Sequence, residues 1–357
     1  MNQNLPVMDQ SVMNQLNDPE NLNKYKTAGT IATKAVTEGV NMAKPGTKLI
    51  DLSNNIQEYI NQELDKTYKS IKYKGLSFPV CLSVNNIVGH YTGKSTDVLK
   101  DGDLLKIELG VHIDGFPASI TYTTLIMTES TVIDDKKSNV LKAVIGASKE
   151  IFNNMKPGTL NTEIVSIMKK YADQYNCNLP ISNEFGVVPG IFSYQVSNGI
   201  LDGYTDDNYT DDKMHRFILS RNNPEYGFFM VELELEENEI YAIDIVMSSG
   251  SGKLKQTNDI CNIYRRNYEI YEGLRLKASR EVLGSFGKEV FPQKINPDIK
   301  FKLGIKECLD KGVVEPYPVV SEKENEYVAR IKFTVIVKDK PVLICAKSGD
   351  TELEKLK

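Results

Sequence analysis

The sequence predicts a mixed α/β chain made of two related halves that face each other. Three observations carry this. NMAKPGT (41–47) and NNMKPGT (153–159) each close one helical pattern and open another. Each is followed by an acid-bearing apolar strand, DGDLLKIELGVHIDG (101–115) and ENEIYAIDIVMSSGSG (237–252), with Glu108 or Asp244 at its middle. The spacing differs by one insertion: 64 residues separate Lys44 from Glu108, and 88 separate Lys156 from Asp244. The surplus of 24 falls on a polar, turn-rich stretch around 202–223. Recurrence of a motif within matching helix and strand context reads as a duplication.

Composition sets the frame. The chain of 357 residues is 41% hydrophobic and 25% charged, ordinary for a soluble globular protein of one large or two smaller domains. Five scattered cysteines with no CxxC argue for reduced thiols and against a disulfide framework or zinc finger. No stretch approaches the roughly 20 apolar residues that span a bilayer. The first fifteen residues have neither a basic nor an apolar leader region, which makes the cytoplasm or nucleus the expected compartment. The net charge is −5, so nucleic-acid contact needs a local basic patch.

Taken in order, residues 1–17 are polar and aperiodic, an expected disordered tail. Asp18-Pro19 is an N-cap with Pro at N1, opening a helix to about Ala43. A second helix spans about Leu49 to Tyr68. A strand and a turn at Asn85-Asn86 follow. The segment 101–126 is then a hairpin turning at Asp114-Gly115, a strong short-range hairpin signal. The second half, from about 136 to 350 after a first half of 18–135, repeats the pattern with helices near 137–155 and 160–175. Two further helices, Tyr268 to Phe286 and Asn296 to Asp310, form a separate helical insert at about 266–320. EYVARIKFTVIV (326–337) and KPVLICAKSG (340–349) close the chain as a hairpin, before a short charged tail.

A carboxylate buried in an apolar strand is unstable without a partner. Glu108 and Asp244, on corresponding strands, suit either a divalent-metal site with a bridging water nucleophile or a pair of internal ion pairs. His90, His112 and His215 have no metal-ligand spacing such as HExxH.

FPVCLSVNNIVGHYT (78–92), LKDGDLLKIELGVHIDGF (99–116) and YAIDIVMSSGSGKLK (241–255) resemble the type 2 methionine aminopeptidases of the pita-bread fold. KYKTAGTIA (24–32), ADQYNCNLPI (172–181), SSGSGK (248–253) and EYVARIKFTVIV resemble more closely their non-catalytic branch, the proliferation-associated or ErbB-receptor-binding proteins. The resemblance covers about 20–350. It implies a pita-bread domain over 18–357 with an inserted helical subdomain. It also implies a degenerate metal site. An active enzyme has aspartate at the positions of Glu108 and Ser119, histidine near Tyr194, and glutamate at Asp244 and Lys332. Only two of these five positions are acidic here, and Lys332 places a cation where metals would sit. A unit charge at about 4 Å is worth roughly 4 kcal/mol at an effective dielectric near 20, and a dication doubles it. Lys332 is therefore expected to pair with Glu108 and Asp244, with no metal and no cofactor. His90 falls where the enzymes keep a histidine beside the substrate's first residue, here a vestigial pocket.

Two clusters are candidate RNA contacts: Lys69, Lys72 and Lys74, beside Lys66, Tyr68 and Tyr73; and Lys253, Lys255, Arg265, Arg266, Arg275, Lys277 and Arg280, with Tyr264 and Tyr268. The branch resembled is associated with ribosomes, ribosomal RNA and large-subunit biogenesis, and the second cluster adjoins the insert. The expected protein is thus a monomeric, cytoplasmic and nuclear or nucleolar pseudoenzyme that binds the large ribosomal subunit or structured RNA, and other proteins through its insert. The alternatives are an atypical metal-dependent methionine aminopeptidase and a non-cleaving binder of nascent-chain N-termini. Animal members carry a lysine-rich C-terminal extension where this chain ends at ELEKLK, which puts nucleolar targeting in doubt.

Overall fold

A computed structural model describes residues 15–182, 191–201, 216–221, 230–268, 270, 273–286, 290–295 and 299–356. The expected tail lies largely outside these residues, but its last three, Gln15–Asn17, form a 3-10 turn. His215 and most of the polar insertion also lie outside.

The first half comprises helices α1 (Pro19–Met42) and α2 (Leu49–Lys66) and strands β1 (Lys74–Val84), β2 (Ile87–Gly89), β3 (Leu104–Ile113) and β4 (Phe116–Leu125). The second begins with α3 (Asp135–Asn154), α4 (Asn161–Gln174), β5 (Ile181–Ser182), β6 (Ser193–Gln195), β7 (Phe217–Ile218), β8 (Ile240–Ser248) and β9 (Lys253–Gln256). Then come β10 (Ile263–Arg266), α5 (Lys277–Ser285), β11 (Gln293–Lys294), α6 (Ile299–Asp310), β12 (Val314–Pro316) and β13 (Val320–Ser321). The chain closes with β14 (Val328–Ile336), β15 (Val342–Cys345) and α7 (Asp350–Lys355).

The Asp18 carboxylate accepts from the Glu20 amide at 2.9 Å, and Pro19 starts α1 as expected. The Asp114-Gly115 turn has both φ positive, 54° and 81°, as a two-residue hairpin requires. The two KPGT turns are equivalent in three dimensions. The Gly46 amide donates to the Leu99 carbonyl at 2.8 Å, and the Gly158 amide to the Leu235 carbonyl at 2.9 Å. Leu99 and Leu235 donate back to Thr47 and Thr159 at 2.9 and 2.8 Å. Gly46 and Gly158 sit at φ +90° and +84°, where a Cβ is strained. From each strapped leucine to the mid-strand acid is nine residues, so the whole 24-residue surplus lies before the strap.

One eight-stranded sheet joins the halves in the order β1-β3-β4-β14-β8-β6-β7, with β15 on β14. Helices α1 and α2 pack over the first half in one apolar core, α3 and α4 over the second in another. The seam is β4 against β14, whose ladder has a single register pair, Thr121 with Lys332. Threonine hydroxyls close it on either side. Thr123 Oγ1 accepts from the Arg330 amide and donates to its carbonyl, at 2.8 and 2.7 Å. Thr334 Oγ1 does the same for Ser119, at 3.0 Å each way.

Residues 263–316 form a smaller unit that is not purely helical. A three-stranded sheet, β11-β10-β12, backs α5 and α6 around Tyr264, Val282, Phe286 and Cys308. The helix expected from Tyr268 is confined to Lys277–Ser285. Upstream, Ile263 and Tyr264 bury their side chains while Arg265 pairs across to Glu315, a strand pattern hidden by its charge. The charged tail is also ordered: Glu352 of α7 is buried and accepts from Thr124 Oγ1 and the Leu125 amide at 3.0 Å each.

Gly29 on α1 lies against the Ile344 backbone, and a Cβ there would collide with the Ile344 carbonyl oxygen. Gly29→Ala is expected to lower unfolding free energy by about 1–3 kcal/mol, as overpacking does, read from urea midpoints.

Candidate functional site

The middle row of the large sheet runs Glu108, Thr121, Lys332, Asp244 from β3 through β4 and β14 to β8. Paired residues share a face, so both acids and Lys332 project to the same side. Residues two positions away along a strand share it too, which adds Arg330 and Lys106. Glu108, Asp244, Lys332 and Arg330 are all at most 3% exposed.

Arg330 is the centre of the cluster. Its two terminal nitrogens donate to both Glu108 oxygens at 2.8 and 2.7 Å. Its Nε and a terminal nitrogen donate to Asp244 Oδ1 and Oδ2 at 2.8 and 2.6 Å. Lys332 Nζ adds a bond to Glu108 Oε1 at 3.0 Å and lies 3.2 Å from Asp244 Oδ2. The expected Lys332 pairing is present, but most of the bonds come from Arg330, which was not among the expected site residues. The signal was available: in EYVARIKFTVIV, alternation puts Arg330 on the face of Lys332.

Two cations balance two carboxylates in a buried site. Burial alone would raise the Glu108 pKa, but Arg330 and then Lys332 outweigh it and hold the carboxyl down at about 2. Burial works against the charge of Arg330 and Lys332 as well; the two carboxylates more than offset it and raise both pKa values. Nearby, buried Lys106 donates to the Asn85 and Val328 carbonyls, at 2.7 and 2.9 Å. Burial, and then Arg330, lower its pKa well below the usual lysine range.

Ser119 and Tyr194 also reach this face. Among the described residues Ser119 Oγ has no hydrogen-bond partner. The Tyr194 and Phe78 rings stand 5.6 and 5.9 Å from Lys332 Nζ. His90 is buried between Phe78 and Tyr317, its ring centroid 5.6 and 5.5 Å from theirs, and its Nδ1 is 3.0 Å from the Pro318 carbonyl oxygen. His112 is buried between Tyr73 and Phe291, each at 4.7 Å. Burial depresses both histidines to about 4.

The candidate RNA contacts divide. Lys74 turns inward and caps the end of α2, donating to the Leu64, Thr67 and Tyr68 carbonyls. Arg265 is engaged by Glu315. Arg280 is exposed but holds the Leu274 and Arg275 carbonyls. Arg266 stacks over Tyr268 at 4.5 Å. Lys69, Lys72, Lys253, Lys255, Arg275 and Lys277 are exposed.

Known proteins place this geometry. The model of metallopeptidase family M24 matches residues 23–251. The chain belongs to metallopeptidase family M24. It is 34% identical to ErbB-3 binding protein 1 of Arabidopsis thaliana over 332 residues, 90% of this chain and 79% of that protein. It is 30% identical to the curved DNA-binding protein of Schizosaccharomyces pombe, over 94% of this chain and 86% of the relative. The solved structure of a thermophilic Arx1 superposes with a TM-score of 0.76 at 23% identity, covering 98% of each chain. The pita-bread fold expected from the sequence is the fold of this M24 protein.

M24 implies a metal centre, and the residues here do not fit one. The two acidic positions, Glu108 and Asp244, accept from guanidinium and ammonium donors instead. The remaining positions offer a hydroxyl, a phenol and a cation. Among the described residues no group of three or more His, Cys, Asp or Glu side chains is placed to hold an ion.

Two tests follow from the cluster. Arg330→Met leaves two buried carboxylates facing one ammonium and is expected to lower stability by roughly 3–5 kcal/mol. Adding Glu108→Gln should recover part of that loss in a double-mutant cycle read by chemical denaturation. His90 and His112 stay neutral in the fold to about pH 4 but charge near 6.5 when unfolded. Their stabilisation is complete above pH 6.5 and is lost as pH falls towards 4. Replacing either with Phe should flatten the slope of unfolding free energy in that window by about 1.4 kcal/mol per pH unit.

Proposed function

We propose that this protein is a non-catalytic M24 member that binds ribosomes or structured RNA and acts in translation or large-subunit maturation. The observation that carries the first half of the reading is Arg330. Its guanidinium and the Lys332 ammonium occupy the coordinating oxygens of Glu108 and Asp244, so an activating metal has no ligands to take. Aminopeptidase chemistry by another route would need a nucleophile and a base in contact. His90 touches aromatic rings and a backbone carbonyl instead. The aromatic rings packed against buried His90 likewise disfavour recognition of a peptide N-terminus there.

Binding is the function left. Support for RNA comes from the resemblance in sequence to a ribosome-associated branch, from a relative named for binding DNA, and from exposed cations in an acidic protein. Lys253, Lys255, Arg275 and Lys277, with Arg266 stacked on Tyr268, form the preferred surface; Lys69 and Lys72 form a second. Cations there would neutralise phosphates, so affinity should fall steeply with salt. The cytoplasm and nucleus are the expected compartments. Among the described residues no helix is long and apolar enough to cross a membrane.

The purified protein should carry only trace metal by elemental analysis and release no methionine from Met-initiated peptides. It should co-sediment with ribosomal subunits at low salt and dissociate as salt rises. Reversing the charge at Lys253, Lys255, Arg275 and Lys277 should weaken that association and lower its salt slope by about one for each phosphate no longer neutralised. Stoichiometric manganese, cobalt, zinc or iron with methionine release would overturn the pseudoenzyme reading. Sedimentation indifferent to the charge reversals would overturn the surface.

A further inference from the structure

Helix α2, the outer edge of β1 and the stretch 291–294 enclose a groove of about 650 Å³. It shares no lining residue with the buried charge cluster and uses none of the exposed cations named above. Both strands that border it are sheet edges: β1 ends the eight-stranded sheet and β11 ends the three-stranded one. Among the described residues neither pairs with another strand on its outer side. The register of β1 breaks on both sides of Phe78, and Pro79 has no N–H, so its pairing edge is the short run 75–77, of which Gly75 and Leu76 line the groove and Ser77 is buried. An open strand edge is a template for an added strand. The far wall offers the Asn54 and Gln57 side chains of α2.

The groove's charge is opposite to that of the chain. In a protein of net charge −5, its lining among the described residues includes Lys74, Lys294 and His112 and not one Asp or Glu. Lys74 is spent on the α2 carbonyls. Lys294 is not: it is exposed on β11 at the groove, and the described residues give it no carboxylate partner. His112 Nδ1 accepts from the Gly115 amide at 3.3 Å, which leaves the proton of the neutral ring on Nε2. That nitrogen lies 3.6 Å from where a Cβ on Gly75 would sit, so it is a donor beside the open strand edge. Backbone edges, two amide side chains, a donor imidazole and an uncompensated ammonium make a surface for an extended, acidic chain.

We propose that this groove docks an extended segment of a partner protein as an added strand on the 75–77 edge, with an Asp or Glu side chain against Lys294. A displayed library of random octapeptides, panned on the full chain and on its Lys294→Glu variant, tests this. Expected is enrichment of acidic sequences on the wild type only. A labelled peptide made from such a sequence should lose at least tenfold in affinity to Lys294→Glu, and its acid-to-lysine version should recover binding to that variant. Bound peptide should also slow hydrogen exchange at residues 75–77, and Asn54→Arg, which crowds the groove from α2, should block it. Selected peptides without acids, equal binding to both proteins, or unchanged exchange at residues 75–77 overturn the proposal. So does a labelled oligouridylate whose binding falls in Lys294→Glu when no acidic peptide is enriched, since the occupant is then a nucleic acid.

Discussion

The bridge from Arg330 to Glu108 and Asp244 is the interaction on which the arrangement of the two halves depends. The carboxylates come from opposite halves, and Arg330 stands beside the seam between them. The seam itself is thin in backbone pairing. It is held by two threonine hydroxyls, by Lys106 reaching the Val328 carbonyl, and by this guanidinium. Four charges removed from water are tolerable only because each is answered at hydrogen-bond distance. Any one removed strands the others.

The same saturation governs chemistry. Metal ligation needs free lone pairs aimed at a common point. Here those lone pairs are spent on a planar fork and an ammonium, which supply positive charge permanently and offer no open coordination position for water. The carboxylates of β3 and β8 thus end in a buried ionic core. What remains available for recognition is peripheral: exposed cations on β9 and α5, and an acid-free groove between α2, β1 and β11.

Much of the fold was legible in residues. The KPGT repeats marked equivalent turns because glycine is needed at positive φ in both. The Asp-Gly dipeptide marked the hairpin, and Asp18-Pro19 the start of α1. Three features were obscured by charge. Arg330 lies in an apolar strand whose alternation places it inside, yet a lone arginine in sequence reads as surface. Ile263–Arg266 reads as a basic patch, although its pairing with β11 and β12 makes it a strand and engages Arg265 with Glu315. Glu352 sits in a tail of charges, and only its bonds with Thr124 and Leu125 show that the tail is docked.

The sequence by itself determined the family and the two equivalent KPGT turns, because these are properties of residue type and spacing along the chain. Only the tertiary structure decided which cation answers which acid, which basic residues stay exposed, and that two strand edges border one groove whose described lining holds no acid. Those depend on side chains more than 200 residues apart in sequence, as Glu108 and Arg330 are, brought within hydrogen-bond distance by the packing of one half against the other.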